Sequence, residues 1–378
     1  MSRLLQRARA SSFVRSDLRA AVVPWITARL IVIAALGVSR FAYDQIGKAP
    51  RPAALGQGLF AWDAAFYRSI ATHGYSGLPR AALRFFPLVP ILTRGLGTIL
   101  VGRYDVALIV IANASALVFA ALLHRLALVE TGDARLASRA AWFGAVFPPF
   151  SVLVLGYADA TAMALAAGVL LALRTRRFGV AIPLGILAGL CRPVGILLVV
   201  PAVIEAARGW NTARPRDRIR RAGATVAPAV GTAAFLAYAG VAFGDTFAPL
   251  TVQNRANLRG RFEFPTTSLA HGVRDLVHAG RFGPGAHVLW AVVFAGLLVV
   301  VARRLPSSYT AYAAAALILG LSAHNLDSFE RYCASTLPFL LGAAFITDRP
   351  DSERLVLGLA AAGLFAYSVL AFLGVSVP

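Results

Sequence analysis

Apolar stretches of about 16 to 22 residues recur along this chain from near residue 20 to its C-terminus, which is the length that a membrane-crossing helix needs. In a hydrocarbon layer roughly 30 Å thick, only helices or closed barrels satisfy the hydrogen-bonding groups of the backbone. The chain is also 58% hydrophobic and only 14% charged, which excludes an ordinary soluble domain. The sequence therefore predicts an all-α polytopic membrane protein.

Eleven apolar stretches are predicted to be transmembrane helices. They are residues 20–40, 104–124, 139–156, 159–173, 178–191, 193–207, 222–243, 286–302, 308–323, 332–347 and 354–374. Residues 87–101 form either one more span or a helix that lies at the membrane interface. Because the sequence shows no repeated period and no separate soluble segment, residues 1–378 are predicted to form a single domain.

The positive charge of the chain follows the pattern of a membrane protein. Its formal net charge is +20, but the arginines stand in short blocks between apolar stretches, which excludes a nucleic-acid-binding face. Basic residues concentrate on the cytoplasmic side of such proteins. The predicted cytoplasmic segments are the basic tail 1–19 and the connections 125–139, 174–177, 208–221, 303–304 and 348–354. Lys48 is the only lysine, and this preference for arginine, with abundant alanine, indicates a bacterial plasma membrane.

Two long segments, residues 41–86 and 244–285, are then predicted to lie on the outer side of the membrane. Outer loops are usually poor in basic residues, yet these segments and the turn 324–331 are rich in arginine. Among these arginines are Arg68, Arg80, Arg84, Arg255, Arg259, Arg261, Arg274 and Arg331. They predict an anionic ligand, with phosphate the natural candidate, unless they extend to anionic lipid headgroups.

The first outer segment carries a carboxylate in an aromatic setting, within the stretch FAWDAAFYRSIATHGYSGLPRAALRFFPLVP from Phe60 to Pro90. Helical spacing places Asp63, Tyr67 and Ile70 on one face of a short helix. Such a helix at the interface would hold Asp63 at the water-facing mouth of the bundle. The alternative is that Asp63 is only an N-terminal charge stabilised by the helix dipole.

The same stretch contains Trp62-Asp63, Tyr67, Ile70-Ala71, Gly74-Tyr75 and Phe85-Phe86-Pro87-Leu88 with Pro90. This pattern resembles the first outer loop of the GPI mannosyltransferase II (PIG-V-like) family, which belongs to the GT-C superfamily of polytopic glycosyltransferases. Two later segments are also similar to that family: Gly244-Asp245, Phe247, Gln253, Arg261 and Pro265, and then Arg331-Tyr332 with Pro338. The chain thus resembles a bacterial member of the family.

The resemblance implies a GT-C-type bundle of about 11 transmembrane helices, whose long first outer loop carries short interfacial helices. It also implies an inverting glycosyltransferase that moves mannose from a polyprenyl-phosphate-mannose donor to a lipid-linked, glycan or protein acceptor. Asp63 would be the general base that takes the proton of the acceptor hydroxyl. The leaving lipid phosphate would need cationic or hydrogen-bonding stabilisation. The sequence does not identify a partner subunit.

Ten residues are predicted to bind the phosphate or the sugar of the donor. They are Trp62, Tyr67, Tyr75, Arg84, Asp159, Arg192, Gln253, Arg261, His324 and Arg331. Several of them have ordinary structural alternatives. Asp159 would cap the helix that follows it, Arg192 would belong to a helix-breaking Arg-Pro turn, and Arg331 would pair with Asp327 or Glu330. Trp62 and Tyr75 would mark the aromatic belt at the membrane surface, and His324 would belong to a solvated loop.

No cofactor is predicted, and no divalent metal site is indicated. An oxygen-ligand site would require Asp63 and Asp159 to converge with Asp245 or Glu330. The two cysteines form no zinc-ligand pattern, and no glycine-rich nucleotide motif occurs in a suitable context. The second functional hypothesis is a polytopic transporter or flippase for a lipid-phosphate-linked sugar, which predicts matched broken helices in two halves. A third keeps the GT-C scaffold but changes the sugar, for example to arabinose.

Overall fold

The computed structural model describes residues 15–47, 50–255, 258–278 and 282–375, with residues 282–284 described by their backbone alone. Within these ranges the chain forms seventeen α-helices and five short 3-10 helices, and no β-strand. This confirms the all-α prediction. The α-helices are α1 (Arg15–Ile46), α2 (Ala53–Gln57), α3 (Asp63–His73), α4 (Leu88–Ile99), α5 (Tyr104–Thr131), α6 (Ala134–Val146), α7 (Asp159–Arg174), α8 (Phe178–Cys191), α9 (Val199–Ala207), α10 (Pro215–Phe243), α11 (Ala248–Thr251), α12 (Pro265–Val277), α13 (Phe282–Arg304), α14 (Ser307–Leu321), α15 (Phe329–Ala334), α16 (Pro338–Ile346) and α17 (Pro350–Phe372).

Five of the described helices are long and apolar enough to cross a membrane, namely α1, α5, α10, α13 and α17. Shorter apolar helices, among them α7, α8, α14 and α16, pack between them and supply much of the buried core. The core consists largely of alanine, leucine and phenylalanine from α5, α6, α7 and α14 to α16. A bundle of this kind has polar residues only where they meet one another or a cavity.

Prolines interrupt three of the predicted spans. The span 139–156 is wrong as a single helix, because α6 ends at Val146 before the pair Pro148-Pro149. The predicted span 193–207 is divided into a 3-10 helix from Pro193 to Leu198 and the α-helix α9. In 332–347, α15 ends before Pro338, which begins α16. The non-helical backbone created by these breaks lies inside the protein, where membrane proteins tolerate it.

The segment 87–101, which had two interpretations, forms the short helix α4 and a turn. Twelve residues rising 1.5 Å each extend about 18 Å, well below the roughly 30 Å of the hydrocarbon layer. Ile91 and Ile99 are exposed on its surface, while Thr93 and Gly97 are buried. The length and the two-faced pattern favour the interfacial helix over an additional span.

The glycines of α8 and α10 allow these two helices to cross at very short range. A Cβ atom at Gly189 would collide with the carbonyl oxygen of Pro228, and one at Gly231 would collide with the carbonyl oxygen of Ile186. Small residues at such crossings are typical of membrane helix pairs, because they let the backbones approach closely. The crossing fixes the C-terminal end of α8, from which Arg192 extends.

The connections predicted to be cytoplasmic contact one another at one end of the bundle. The guanidinium of Arg176 donates to the carbonyl oxygen of Arg208 over 2.7 Å, and Arg208 donates to the Ser307 hydroxyl over 2.9 Å. Arg139 donates to the carbonyl oxygen of Thr347 over 2.7 Å. We call this the far end. The first outer loop lies at the opposite end, where Trp62 reaches the C-terminal turn of α17, and we call this the site end.

A buried ionic network near the far end ties four helices together. The Arg174 guanidinium contacts Glu130 at 2.6 and 3.0 Å and Glu205 at 2.8 Å. The Ser308 hydroxyl donates to Glu205 over 2.6 Å, and the Tyr309 hydroxyl donates to Glu130 over 3.1 Å. The network joins α5, α7, α9 and α14 and satisfies charges that would be costly alone in an apolar interior.

Replacing Arg174 with alanine is expected to lower the free energy of unfolding by about 3–5 kcal/mol, because Glu130 then stays buried without its cation. The measurement is the midpoint of thermal unfolding of the detergent-purified protein. Arg220→Ala is the matched control, since the Arg220 side chain is 62% exposed and lies 3.9 Å from Asp217. Equal losses in the two variants would contradict a special role for the network.

Candidate functional site

Asp63 is fixed by its backbone at the start of α3. The preceding residue, Trp62, has φ 60° and ψ −127°, a conformation that a bulky side chain rarely adopts. Its indole nitrogen donates to the carbonyl oxygen of Ala371 over 3.1 Å, which holds the turn against α17. The Asp63 amide donates to the Tyr157 hydroxyl over 3.2 Å. The Asp63 side chain remains 26% exposed, so the carboxylate stays accessible to a substrate.

Two guanidinium groups face the Asp63 carboxylate. Arg84 Nη2 lies 3.3 Å from Oδ1, and Arg331 Nη1 lies 3.7 Å from Oδ2. The Arg84 guanidinium also lies over the rings of Phe66 and Phe85, at 5.7 and 4.6 Å from their centroids. These contacts orient the carboxylate without covering it, because neither is a short bidentate pair.

Asp159 and Arg192 form a buried ion pair beside Asp63. Asp159 is the first residue of α7, and Arg192 follows α8 in extended conformation before Pro193. Their side chains are 2% and 11% exposed. The predicted alternative role of Asp159 as the helix cap is wrong, because Ala158 holds the cap position and no side chain caps this helix. The extended Arg192 does break the helix before Pro193, and the same geometry directs its guanidinium to Asp159.

Three arginines converge on the ring of Tyr332. The guanidinium carbons of Arg192, Arg259 and Arg331 lie 5.5, 4.8 and 5.1 Å from its centroid. Arg331 also lies 5.5 Å from the ring of Tyr157. The aromatic faces stabilise these cations, which would otherwise repel one another. We call Arg192, Arg259, Arg331 and Tyr332 the arginine cluster.

Some nitrogens of this cluster lack hydrogen-bond partners. Arg331 Nε and Nη1 and Arg259 Nε are buried and find no hydrogen-bond acceptor among the described residues. Buried donors of this kind are rare and costly, particularly on charged groups. An anion with several acceptor oxygens would satisfy them, and phosphate has that character.

The arginine cluster lies at the wall of a cavity between α7, α8, α14 and α15. Arg192, Arg259 and Tyr332 form its polar wall, with Ser335 and Thr336 beside them. The remaining walls are mainly apolar and include Met163, Leu198 and Tyr312. A second cavity of about 370 Å³ lies between α3, α4 and α10, and its lining includes Tyr75, Ile91, Arg94, Phe235 and Tyr238. The two cavities differ in chemistry, since the first has two arginines in a mainly apolar lining and the second has three aromatic rings and Arg94.

Two tyrosines next to the carboxylates stay protonated. Burial, followed by the nearby charge of Asp63, raises the pKa of the Tyr157 hydroxyl well above its ordinary value. Burial also raises the pKa of the Tyr67 hydroxyl, which lies near Asp63, Asp159 and Arg192. Neutral hydroxyl groups at these positions can donate hydrogen bonds to a substrate.

The structure brings six of the predicted residues to one place: Asp63, Tyr67, Arg84, Asp159, Arg192 and Arg331. The alternative role of Arg331 as a local ion-pair partner is wrong, because Glu330 and Asp327 contact His287 at 2.7 and 3.8 Å. Arg331 therefore faces Asp63.

The other predicted residues lie elsewhere or are already hydrogen bonded. The Tyr75 hydroxyl donates to the carbonyl oxygen of Phe85 over 2.6 Å, and its ring packs on α10. Arg261 and His324 contact Glu263 at 3.1 and 2.8 Å. Gln253 stands in a 3-10 helix of the second outer segment, and Trp62 holds the turn before α3.

Three residues of the site were absent from the predicted set: Tyr157, Arg259 and Tyr332. Tyr332 adjoins Arg331, and Arg259 belongs to the basic outer segment, so both had a weak sequence signal. Backbone pairing then places Arg259, since its carbonyl oxygen accepts from the amide of Asn325 over 3.0 Å and that of Arg261 accepts from the amide of His324 over 3.1 Å.

No protein-family model matches this sequence, and no curated protein matches it. Solved structures do resemble it. One is ArnT from Cupriavidus metallidurans bound to undecaprenyl phosphate, with a TM-score of 0.54 and 19% identity over 88% of this chain and 63% of that chain. Two others are oligosaccharyltransferase structures from Archaeoglobus fulgidus. One, in complex with Zn and sulfate, has a TM-score of 0.46 and 15% identity over 93% of this chain and 52% of that chain. The other, AglB with an inhibitory peptide and a dolichol-phosphate, has a TM-score of 0.45 and 13% identity over 94% of this chain and 55% of that chain.

At these identities the likeness establishes the fold alone. The chain is a multi-pass membrane protein with the polytopic GT-C fold, as the resemblance of its first outer loop implies. It spans 63% of the length of the ArnT chain that it matches. The narrower resemblance to the PIG-V-like family stays a prediction.

Replacing Arg192 with methionine is expected to lower the free energy of unfolding by about 3–5 kcal/mol, because Asp159 becomes an unpaired buried carboxylate. The double variant Asp159→Asn/Arg192→Met is expected to recover most of that loss, since the buried charge is then removed as well. Thermal unfolding in detergent measures both. Arg80→Met, at an exposed position, is the control, and a double variant as unstable as the single one would disprove the pairing.

Proposed function

We propose that this protein is an integral-membrane inverting glycosyltransferase that uses a polyprenyl-phosphate sugar and has Asp63 as its general base. The observation that carries the proposal is the position of one accessible carboxylate beside the arginine cluster, of which Arg192, Arg259 and Tyr332 line a cavity with mainly apolar walls. A lipid-linked donor has the same two parts, an apolar chain and a phosphate. The GT-C fold shared with ArnT, which was solved with undecaprenyl phosphate bound, supports this choice of donor.

The arginine cluster is the proposed phosphate site. Arg192 is neutralised by Asp159, whereas Arg259 and Arg331 carry buried nitrogens without hydrogen-bond acceptors in the described part of the chain. The donor phosphate would accept from these nitrogens. As the sugar leaves, negative charge grows on the phosphate, and cations already in position stabilise it without reorganisation.

Asp63 is the proposed base because its carboxylate is accessible and stands next to this phosphate site. The acceptor hydroxyl loses its proton to Asp63 as its oxygen forms a bond to the anomeric carbon. At the same time the bond from that carbon to the phosphate oxygen breaks, and its electron pair stays with the lipid phosphate. The attack comes from the face opposite the leaving group, so the configuration is inverted.

Mannose is the proposed sugar, on the strength of the resemblance of the first outer loop to the PIG-V-like family. Arabinose or another sugar on the same scaffold is the alternative. The acceptor is a lipid-linked, glycan or protein hydroxyl. We place the site end on the outer face of a bacterial plasma membrane, with the N-terminus in the cytoplasm, because the predicted cytoplasmic arginine connections contact one another at the far end.

Replacing Asp63 with asparagine is expected to slow sugar transfer by about 10²–10⁴-fold, because the amide has the shape of the carboxylate but cannot accept the proton. The assay supplies polyprenyl-phosphate [14C]mannose to membranes that contain the protein and follows label in lipid and protein fractions. Asp44→Asn is the matched control, since Asp44 is an exposed carboxylate whose side chain is 58% accessible.

Normal transfer by the Asp63→Asn variant would remove Asp63 as the base. If the wild-type protein binds polyprenyl phosphate but transfers none of several sugars, the transporter or flippase hypothesis is favoured instead. Transfer of arabinose but not of mannose would keep the mechanism and correct the sugar.

Replacing Arg259 or Arg331 with glutamine is expected to weaken binding of polyprenyl phosphate about 10- to 100-fold, because each change removes charged hydrogen bonds worth about 1.5–3 kcal/mol. Native mass spectrometry of detergent-purified protein with added polyprenyl phosphate measures the bound fraction. Arg255→Gln is the control, as Arg255 is exposed in the same loop as Arg259. Equal weakening by Arg255→Gln would point to a general charge effect.

A further inference from the structure

Three side chains of the kinds that bind metal ions lie together where the second outer segment meets the turn after α14. Glu263 precedes α12, His271 lies within α12, and His324 stands in the turn after α14. None of the three contacts Asp63 or its arginines in the described ranges. Glycosyl transfer as proposed above does not use them.

The three side chains converge on one point. His324 Nδ1 lies 2.8 Å from Glu263 Oε1, and His271 Nδ1 lies 3.3 Å from Glu263 Oε2. The imidazole rings meet edge to face, with centroids 5.7 Å apart. When one ligand atom is taken from each of the three residues, these three atoms lie within 4.8 Å of one another.

Part of this cluster has no hydrogen-bond partner. Glu263 is 7% exposed, and its Oε2 atom is buried without a hydrogen bond among the described residues. The same holds for His271 Nδ1, although the two atoms are only 3.3 Å apart. The carboxylate oxygen and the imidazole nitrogen are thus hydrogen bonded neither to each other nor to the surrounding described residues. A cation placed between them would bind both atoms.

We infer that Glu263, His271 and His324 bind a divalent transition metal, with zinc the best match. Two imidazoles and one carboxylate form a common zinc ligand set, with water as the fourth ligand. For ligands about 2.0–2.1 Å from a tetrahedral metal, the ligand atoms are roughly 3.3 Å apart. The histidine contacts of 2.8 and 3.3 Å, one to each Glu263 oxygen, lie near that spacing, and the three ligand atoms lie within 4.8 Å of one another, so side-chain rotations would complete the site.

Arg261 is the one cation that competes for this position in the described structure. Its Nε lies 3.1 Å from Glu263 Oε1, but its side chain is 80% exposed. An exposed arginine pair is worth little and is readily exchanged for solvent. Metal binding would therefore displace Arg261 outwards at small cost.

The metal would act as a clamp on the loop that carries Arg259. The segment before Glu263 already pairs with the turn 324–325 through two backbone hydrogen bonds, and Arg259 Nη2 donates to the carbonyl oxygen of Gly320 over 2.8 Å. A metal shared by Glu263, His271 and His324 would fix α12 and this turn to each other. It would stabilise the second outer segment and have no catalytic role.

The test measures zinc directly on the purified full-length protein after treatment with chelator and removal of the chelator. We expect the wild-type protein to take up one equivalent of Zn²⁺ by elemental analysis and to unfold at a higher temperature when zinc is added. Glu263→Gln, His271→Ala and His324→Ala should each lose both effects. His278→Ala is the matched control, because His278 is exposed just beyond the end of α12, and it should behave as the wild type.

Cobalt gives a second measurement that does not depend on how the variants fold. Wild-type protein loaded with Co²⁺ should show the strong visible absorption of a tetrahedral site, and added Zn²⁺ should remove it. Absence of stoichiometric zinc uptake by the wild type would overturn the inference. So would uptake that is unchanged in properly folded His271→Ala and His324→Ala proteins. Loss of sugar transfer in Asp63→Asn with normal zinc uptake would separate this site from the proposed function.

Discussion

The buried contact between Asp159 and Arg192 is the interaction on which the site depends. It joins the start of α7 to the end of α8, two helices whose polar ends would otherwise each leave a charge in an apolar interior. An unpaired charge there costs several kcal/mol, which the pair avoids. It also brings a guanidinium to the ring of Tyr332, so one contact both stabilises the helix ends and positions part of the arginine cluster.

Proline breaks explain how charged residues come to lie inside an apolar bundle. Pro148, Pro193 and Pro338 each interrupt a stretch that is apolar enough to continue as a helix. Each break leaves a short non-helical segment near a residue of the candidate site in the sequence, namely Tyr157, Arg192 or Arg331. Irregular backbone at membrane depth is tolerated only where the protein buries it or where it lines a cavity. The helix breaks therefore depend on the surrounding protein and on the cavity.

The sequence was sufficient for the fold class, and six of the residues that it singled out lie together in the structure, because both depend on local signals. The length of the apolar stretches predicts the helices, and the aromatic residues around Asp63 distinguish it from the other acidic residues. The remainder depends on contacts between distant segments. Arg259 and Tyr332 are in contact although they are 73 residues apart in the sequence. Glu263 and His324 are in contact although they are 61 residues apart. Neither separation forms a recognisable sequence motif. His324, which is predicted to bind the phosphate or the sugar of the donor, contacts the Glu263 carboxylate in the structure.

The charges of the site agree with the proposed reaction. Two carboxylates, Asp63 and Asp159, face four guanidinium groups, those of Arg84, Arg192, Arg259 and Arg331, which leaves two positive charges in excess. A sugar phosphodiester brings one negative charge, and the lipid phosphate that leaves approaches two. When Asp63 takes the proton of the acceptor, the site gains one positive charge as the phosphate gains one negative charge. The total is conserved while the opposite charges move closer together, which favours the transition state over the bound donor.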